Sequence, residues 1–260
     1  LERFLPVEKI NRVRLWSARP DALSPAHWRQ LSDVLDAAEH RQAGRFHFAA
    51  DRRAYVLAHG LRRLALAWQL QVPAASLVFG VTASGQPQLR GPARRPLFFS
   101  HSHTREAVLL ALSSDAAVGV DVESTRGPAI DGDLLQNFIS PPTDAPANAA
   151  QSGAGGAGFF FYWTALEAYW KAVGTGLSER QPRLHFERSA AGHWWATPGP
   201  SWQPCQPALI FALAAPPACC ASLAVRSAQC RGTEALDGHA HWQIETLDFE
   251  RDGQALTSRA

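Results

Sequence analysis

The run Val118-Gly119-Val120-Asp121-Val122-Glu123 alternates without a break. Successive side chains of a strand point to opposite faces, so Val118, Val120 and Val122 share one face and Gly119, Asp121 and Glu123 share the other. An all-valine face requires a core on one side. The acid face is expected to open onto a cleft or solvent. Two like-facing carboxylates repel unless solvent or a cation intervenes. Mg²⁺ suits such a pair, because it takes one or two protein carboxylates and fills its remaining positions with waters and substrate phosphates. Taken alone, the same pattern also describes an ordinary strand with a solvated polar face.

About forty residues later the period changes. Trp163, Leu166, Trp170 and Val173 recur at helical spacing as one apolar stripe, and Thr164, Glu167, Ala168 and Lys171 form a second, rotated stripe. Glu167 and Lys171 are therefore neighbours one turn apart, which by itself describes an ordinary surface pair. The composition adds weight to Lys171, since the chain has only two lysines, Lys9 and Lys171, against 23 arginines. Gly174 and Gly176 supply a helix stop.

Further strands are expected at Arg12–Ser17, Ala75–Val81, Pro96–Ser100, Val108–Leu112, Arg183–Phe186, Trp194–Thr197, Leu209–Ala214, Ala221–Arg226 and Trp242–Leu247. Helices are expected at Ser24–Asp36, Ala49–Gln71 and, briefly, Leu134–Ile139. The stretch Pro141–Gly158 is rich in Pro, Ala, Gly and Ser and reads as a flexible loop. At 260 residues, 46% apolar and 18% charged, the chain can bury a real core in one domain or two small lobes. A formal net charge of +2 argues against a nucleic-acid binder, although arginines cluster between Arg41 and Arg63. The four cysteines include no C-x-x-C, so a reduced, cytoplasmic setting is expected. No run of 18 apolar residues predicts a membrane span. His101 and His103, two apart, fall short of the three or four ligands a zinc site needs.

Taken together, the two patches resemble the signature pair of the 4′-phosphopantetheinyl transferases, in the larger monomeric class that activates peptide and polyketide synthases. Gly119–Glu123 is similar to that family's G-[IV]-D-[IV]-E, and Trp163–Lys171 to its W-[ST]-x-K-E-[SA]-x-x-K, with Gly174-Thr175-Gly176-Leu177 matching the G-x-G-[LF] that follows. Phe98-Phe99-Ser100-His101-Ser102 resembles its N-[IL]-S-H-[ST] segment. Gly85-Gln86-Pro87 resembles its G-K-P turn. Arg45-Phe46, Asp51-Arg52-Arg53 and Leu61-Arg62-Arg63 resemble its arginine-rich helix. The likeness covers roughly residues 40–180.

What the resemblance implies is an α+β fold of two similar, pseudo-symmetric lobes, each a small, mostly antiparallel sheet packed with helices. The active site lies between them. The lobes are expected at residues 1–117, on the coenzyme A side, and 118–260, on the Mg²⁺ side. The implied reaction moves the 4′-phosphopantetheine arm of coenzyme A to a serine of an apo acyl or peptidyl carrier protein, releasing 3′,5′-ADP. Asp121, Glu123 and Glu167 are the implied Mg²⁺ ligands. Glu167 is the implied base, and Lys171 the group that stabilises or protonates the departing phosphate. Ser100, His101, Arg52 and Arg53 are the implied coenzyme A contacts. The class is monomeric, with no membrane or nucleic-acid partner. Three positions depart from the family's pattern: Leu166 and Gln86 stand where it has lysines, and Phe98 where it has asparagine. The two lysines are expected near coenzyme A phosphates, so their replacement weakens that affinity or moves the task to arginines such as Arg52, Arg53, Arg94 or Arg95. Two alternatives stay open: a catalytically weakened coenzyme A or carrier-binding protein of the same fold, and another Mg²⁺-dependent phosphoryl or nucleotidyl enzyme.

Overall fold

The alternation at Val118–Val122 is realised as a strand, Ala117–Ser124, inside an α+β architecture. The computed structural model describes residues 11–91, 96–126, 135–140, 157–178, 181–188, 192–199, 206–226, 242–253 and 256. Its strands are β1 (Asn11–Ala18), β2 (Val78–Val81), β3 (Pro87–Arg90), β4 (Phe98–His103), β5 (Val108–Ser113), β6 (Ala117–Ser124), β7 (Ile139–Ser140), β8 (Leu184–Arg188), β9 (Trp194–Pro198), β10 (Ala208–Leu213), β11 (Cys219–Arg226) and β12 (Trp242–Asp248). The helices used below are α1 (Pro25–Asp33), α2 (Ala37–Ala43), α3 (Ala49–Leu70), α4 (Ala157–Val173) and α5 (Phe249–Asp252).

One sheet has the order β12-β1-β5-β4, a second β6-β11-β10-β9-β8-β7, and β2 and β3 form a separate hairpin. Pleating explains the layers. Val108, Leu110 and Leu112 of β5 face a core shared with α1 and α3, whereas Leu109 and Ala111 face a core shared with Val118, Val120 and Val122 of β6 and Leu223 of β11. A strand buried on both faces reads as a continuous apolar run, and β5 does. On its far side the second sheet packs on α4, through Leu166, Trp170, Ala224 and Ile210. The order is therefore helices, sheet, sheet, helix, with β4 of one sheet lying against β6 of the other.

Three expectations change. The helix expected over Ser24–Asp36 forms and ends at Asp33, and a further, unexpected helix follows because Asp36 caps it: its carboxylate accepts from the backbone N–H groups of Ala38 and Glu39, and the Glu39 carboxylate accepts from the Asp36 N–H. The last strand, β12, assigned from sequence to the second lobe, pairs parallel with β1 in the first sheet. The short helix expected over Leu134–Ile139 is helical at Leu135 and Gln136, turns, and gives way to β7 at Ile139. Residues 141–156 of the expected loop, and Arg94 and Arg95, lie outside the described residues.

Candidate active site

Helix α4 crosses β6 at Gly119. A Cβ there would collide with the carbonyl oxygen of Ala168 and the backbone nitrogen of Ala172. The absent side chain is thus what allows helix backbone to lie directly on the strand. Thr164 fixes the helix along its axis, its Oγ1 lying 2.8 Å from Ser222 Oγ on β11, with both residues fully buried. Ser222 is the register partner of Asp121. Two turns beyond Thr164, on the same helical face, Lys171 Nζ reaches Asp121 Oδ1 at 2.5 Å. The acid face expected to open onto a cleft or solvent is instead covered by α4 at this point, and Asp121 is 3% exposed.

Lys171 therefore pairs across the fold with Asp121; among the described residues it makes no ion pair along its own helix with Glu167, which feels only its charge. Ser102 completes the contact. Its hydroxyl donates to Asp121 Oδ1 at 2.8 Å and accepts from Lys171 Nζ at 3.2 Å. The other oxygen, Asp121 Oδ2, is buried and has no partner among the described residues. Glu123 and Glu167 are half-buried. Burial, then the charge of Asp121, raises the pKa of both, against a bond from Trp163 to Glu123 and the positive charge of Lys171 near each. The three acids thus lie within one another's field.

Among the described residues, no group of three or more His, Cys, Asp or Glu side chains is close enough to hold a metal by itself. Mg²⁺ asks less of a protein, since waters and substrate phosphates fill most of its six positions. The orphaned Asp121 Oδ2 and the mutually destabilised carboxylates of Glu123 and Glu167 fit that smaller demand: each carries charge that a dication would neutralise.

Strand β4 presents two chemistries on its two faces. Ser100 and Ser102 face the second sheet, and Ser100 Oγ accepts from the backbone N–H of Val120 at 3.1 Å. His101 turns to α3, edge-on to His59 with ring centroids 5.7 Å apart, while Tyr55 stacks on His59 at 3.9 Å. Burial, then the positive charge of Arg62 and of the neighbouring basic groups His59, His103 and Lys171, holds the His101 pKa well below the ordinary range. His101 thus stands among the positive charges of Arg62 and Lys171, an environment suited to an anion. A cleft of about 220 Å³ opens here, lined by Ser100, His101 and Lys171 on one side and by the β2–β3 turn on the other. It adjoins a larger one of about 730 Å³ that runs past Phe98 to Arg226.

Arg52 and Arg53 are exposed on the first turns of α3. Arg52 shares a helical face with His59, seven residues on. Arg62 and Arg63 are buried instead, at 3% and 1% exposure, and serve the fold. Arg62 Nη2 donates to Glu39 Oε1 at 2.7 Å, and Arg63 Nε to Glu39 Oε2 at 2.5 Å. Leu166 is fully buried in the core beneath α4 and faces away from the cleft, so that departure follows from the packing of the helix. Sequence reasoning included Ser102 in the motif but gave it no role, although its place two residues after Ser100 puts it on the same strand face. It also missed Glu39, for which the D-x-x-E capping pattern was available.

Comparison with known proteins adds two family models. One, described as 4′-phosphopantetheinyl transferase, N-terminal, matches residues 19–115, and the other, 4′-phosphopantetheinyl transferase superfamily, matches residues 117–208. Among curated relatives, the 4′-phosphopantetheinyl transferase HetI of Nostoc sp. is 28% identical over 170 residues, covering 65% of this chain and 71% of the relative. The L-aminoadipate-semialdehyde dehydrogenase-phosphopantetheinyl transferases of Xenopus laevis and Homo sapiens are 27% and 26% identical over 64% and 72% of this chain. The chain spans less than two thirds of those two relatives, 58% and 64% of their lengths.

Proposed function

The chain belongs to the 4′-phosphopantetheinyl transferase superfamily, and we propose that it works as one, moving the phosphopantetheine arm of coenzyme A to a carrier-protein serine. The observation that carries the reading is the contact of Lys171 with Asp121 and Ser102, next to Glu167 and at the mouth of the His101 cleft. The seam between the N-terminal segment, residues 1–117, and the C-terminal segment, 118–260, is the proposed coenzyme A site.

The reaction joins the serine oxygen to the β-phosphorus of coenzyme A and breaks the bridging P–O bond, so that 3′,5′-ADP departs. It asks for alignment, charge neutralisation and a proton acceptor. Glu167 is the proposed acceptor. A half-buried carboxylate whose pKa is raised by burial and by Asp121 is a better base near neutral pH than an ordinary one. Lys171, held by Asp121, directs its ammonium group toward the departing phosphate. His101 and Ser100 line the cleft where the 3′-phosphate is proposed to sit, and Arg52 and Arg53, exposed on α3, are proposed to contact it. Asp121, Glu123 and Glu167 would hold Mg²⁺. When bound, the ion neutralises charge on the pyrophosphate.

Intact-mass measurement of an apo carrier protein after incubation with the chain, coenzyme A and Mg²⁺ tests this reading. The expected result is a gain of about 340 Da, the mass of the arm. No gain across fatty-acid, polyketide and peptide carriers, with coenzyme A binding intact, would leave a binding protein of the same fold. No helix among the described residues is long and apolar enough to cross a membrane. The proposal extends to a monomer acting in the cytoplasm.

A further inference from the structure

The last turn of an α-helix leaves carbonyl oxygens without partners inside the helix. At the end of α4 Lys171 O accepts from the Gly174 N–H at 3.1 Å, and side chains from distant segments add further bonds. Gln86 Nε2 donates to Lys171 O at 2.8 Å, Ser84 Oγ to Gly174 O at 2.5 Å, and Arg226 Nη1 to Ala172 O at 3.1 Å. Gln86 and Ser84 both lie on the β2–β3 turn, 85 and 90 residues from the groups they meet. The turn is itself braced. Thr82 Oγ1 lies 2.7 Å from Ser84 Oγ and accepts from the Gln86 N–H at 3.1 Å, while the Thr82 N–H donates to Gln86 O at 2.9 Å. The fit on the helix side is close. Gly174 has a positive φ of 89°, and a Cβ there would stand 2.8 Å from Gln86 Oε1.

We propose that Gln86, assisted by Ser84, is a positioning residue for Lys171: the β2–β3 turn clasps the end of α4 and sets where the Lys171 ammonium stands relative to Asp121. The backbone carbonyl that Gln86 holds belongs to Lys171 itself, so the side chain that pairs with Asp121 is anchored at its own root. The same turn forms one wall of the cleft that Lys171 enters. In place of a lysine aimed at phosphate, this chain has an amide aimed at the helix. The inference rests on the transfer reading for its kinetic consequence but not for its structural one.

The chain's two lysines make the test direct. Protein labelled with ¹³C at lysine Cε gives two side-chain signals, Lys171 being assigned with Lys171→Arg and Lys9 serving as the internal reference. In Gln86→Ala the Lys171 signal is expected to move from its place in the unmodified chain toward that of a lysine free in water, with the Tm unchanged. The kcat for transfer should fall about tenfold, while the KM for coenzyme A changes less than twofold. Gln86→Glu, similar in size but without the donor, should act the same way. Should either variant fold poorly, Ser84→Ala removes only the hydroxyl and should give a smaller movement of the same signal. A raised KM with kcat and the Lys171 signal unchanged would make Gln86 a direct ligand contact and overturn the proposal. So would variants that leave all three quantities unchanged. If the unmodified chain transfers no arm, the transfer reading fails, and the Lys171 signal still decides the positioning role.

Discussion

Glu39 and Asp121 are both buried carboxylates facing basic side chains, yet only one is fully matched. Glu39 spends both oxygens: Oε1 on His59 and Arg62, Oε2 on Arg63 and the Asp36 N–H. Burial pushes its pKa up, but the His59, Asp36 and Arg63 bonds and the Arg63 charge outweigh this and bring it to about 2. Asp121 satisfies one oxygen with Ser102 and Lys171 and leaves the other bare, while the nearby Glu123 and Glu167 have raised pKa values. The first cluster joins α2 to α3 and occupies both Glu39 oxygens, although Arg62 Nε is buried without a partner among the described residues. The second is incomplete without something positive. A carboxylate whose surroundings disfavour its charge is a candidate working group, and one whose two oxygens are both matched by cations is a structural one.

Breaking each cluster should therefore have opposite consequences. Glu167→Gln is expected to lower arm transfer by about 10³-fold, within the range for losing a base, with the Tm unchanged or raised because a like-charged neighbour of Asp121 is gone. Intact-mass kinetics and a thermal melt read the two quantities. Glu39→Gln leaves two buried guanidinium groups without their shared anion and should cost about 3–5 kcal/mol of stability in urea unfolding. The protein that remains folded should still transfer at a similar rate. Acid titration sharpens the contrast. The folded pKa of Glu39, about 2, lies below its ordinary value of 4.5, so the unfolded chain takes up the proton first as pH falls. The stabilisation is complete above pH 4.5 and is lost between 4.5 and about 2, amounting to roughly 2–4 kcal/mol. Urea midpoints across that window should fall steeply in the unmodified chain and less so in Glu39→Gln. The smallest effect is expected from Ser102→Ala, which removes one bond from an oxygen that keeps Lys171: a few-fold loss in kcat.

Much of the second cluster was legible because its signals are short-range. A period of two at Val118–Glu123 and of 3.6 at Trp163–Val173 fixed which residues share a face, and the observed β6 and α4 follow those faces. The resemblance then brought the two patches together. Long-range pairs carry no such local signal. Nothing in the spacing tells that Lys171 chooses Asp121, that Gln86 reaches the root of Lys171, or that β12 returns beside β1. The arginines of α3 illustrate the limit most clearly. Arg52, Arg53, Arg62 and Arg63 look alike in composition, but the first pair is exposed and the second is buried against Glu39. Only the capping pattern at Asp36–Glu39 hinted at a buried acid to receive them.

The decisive measurement sets the two clusters side by side: the intact mass of one apo carrier protein after incubation with coenzyme A, Mg²⁺ and, in turn, the unmodified chain, Glu39→Gln and Glu167→Gln, at a temperature where all three are folded. The expected result is a gain of about 340 Da with the first two and none over the same time with the third. An undiminished gain with Glu167→Gln, or its loss with folded Glu39→Gln, would contradict the division of labour between the two clusters.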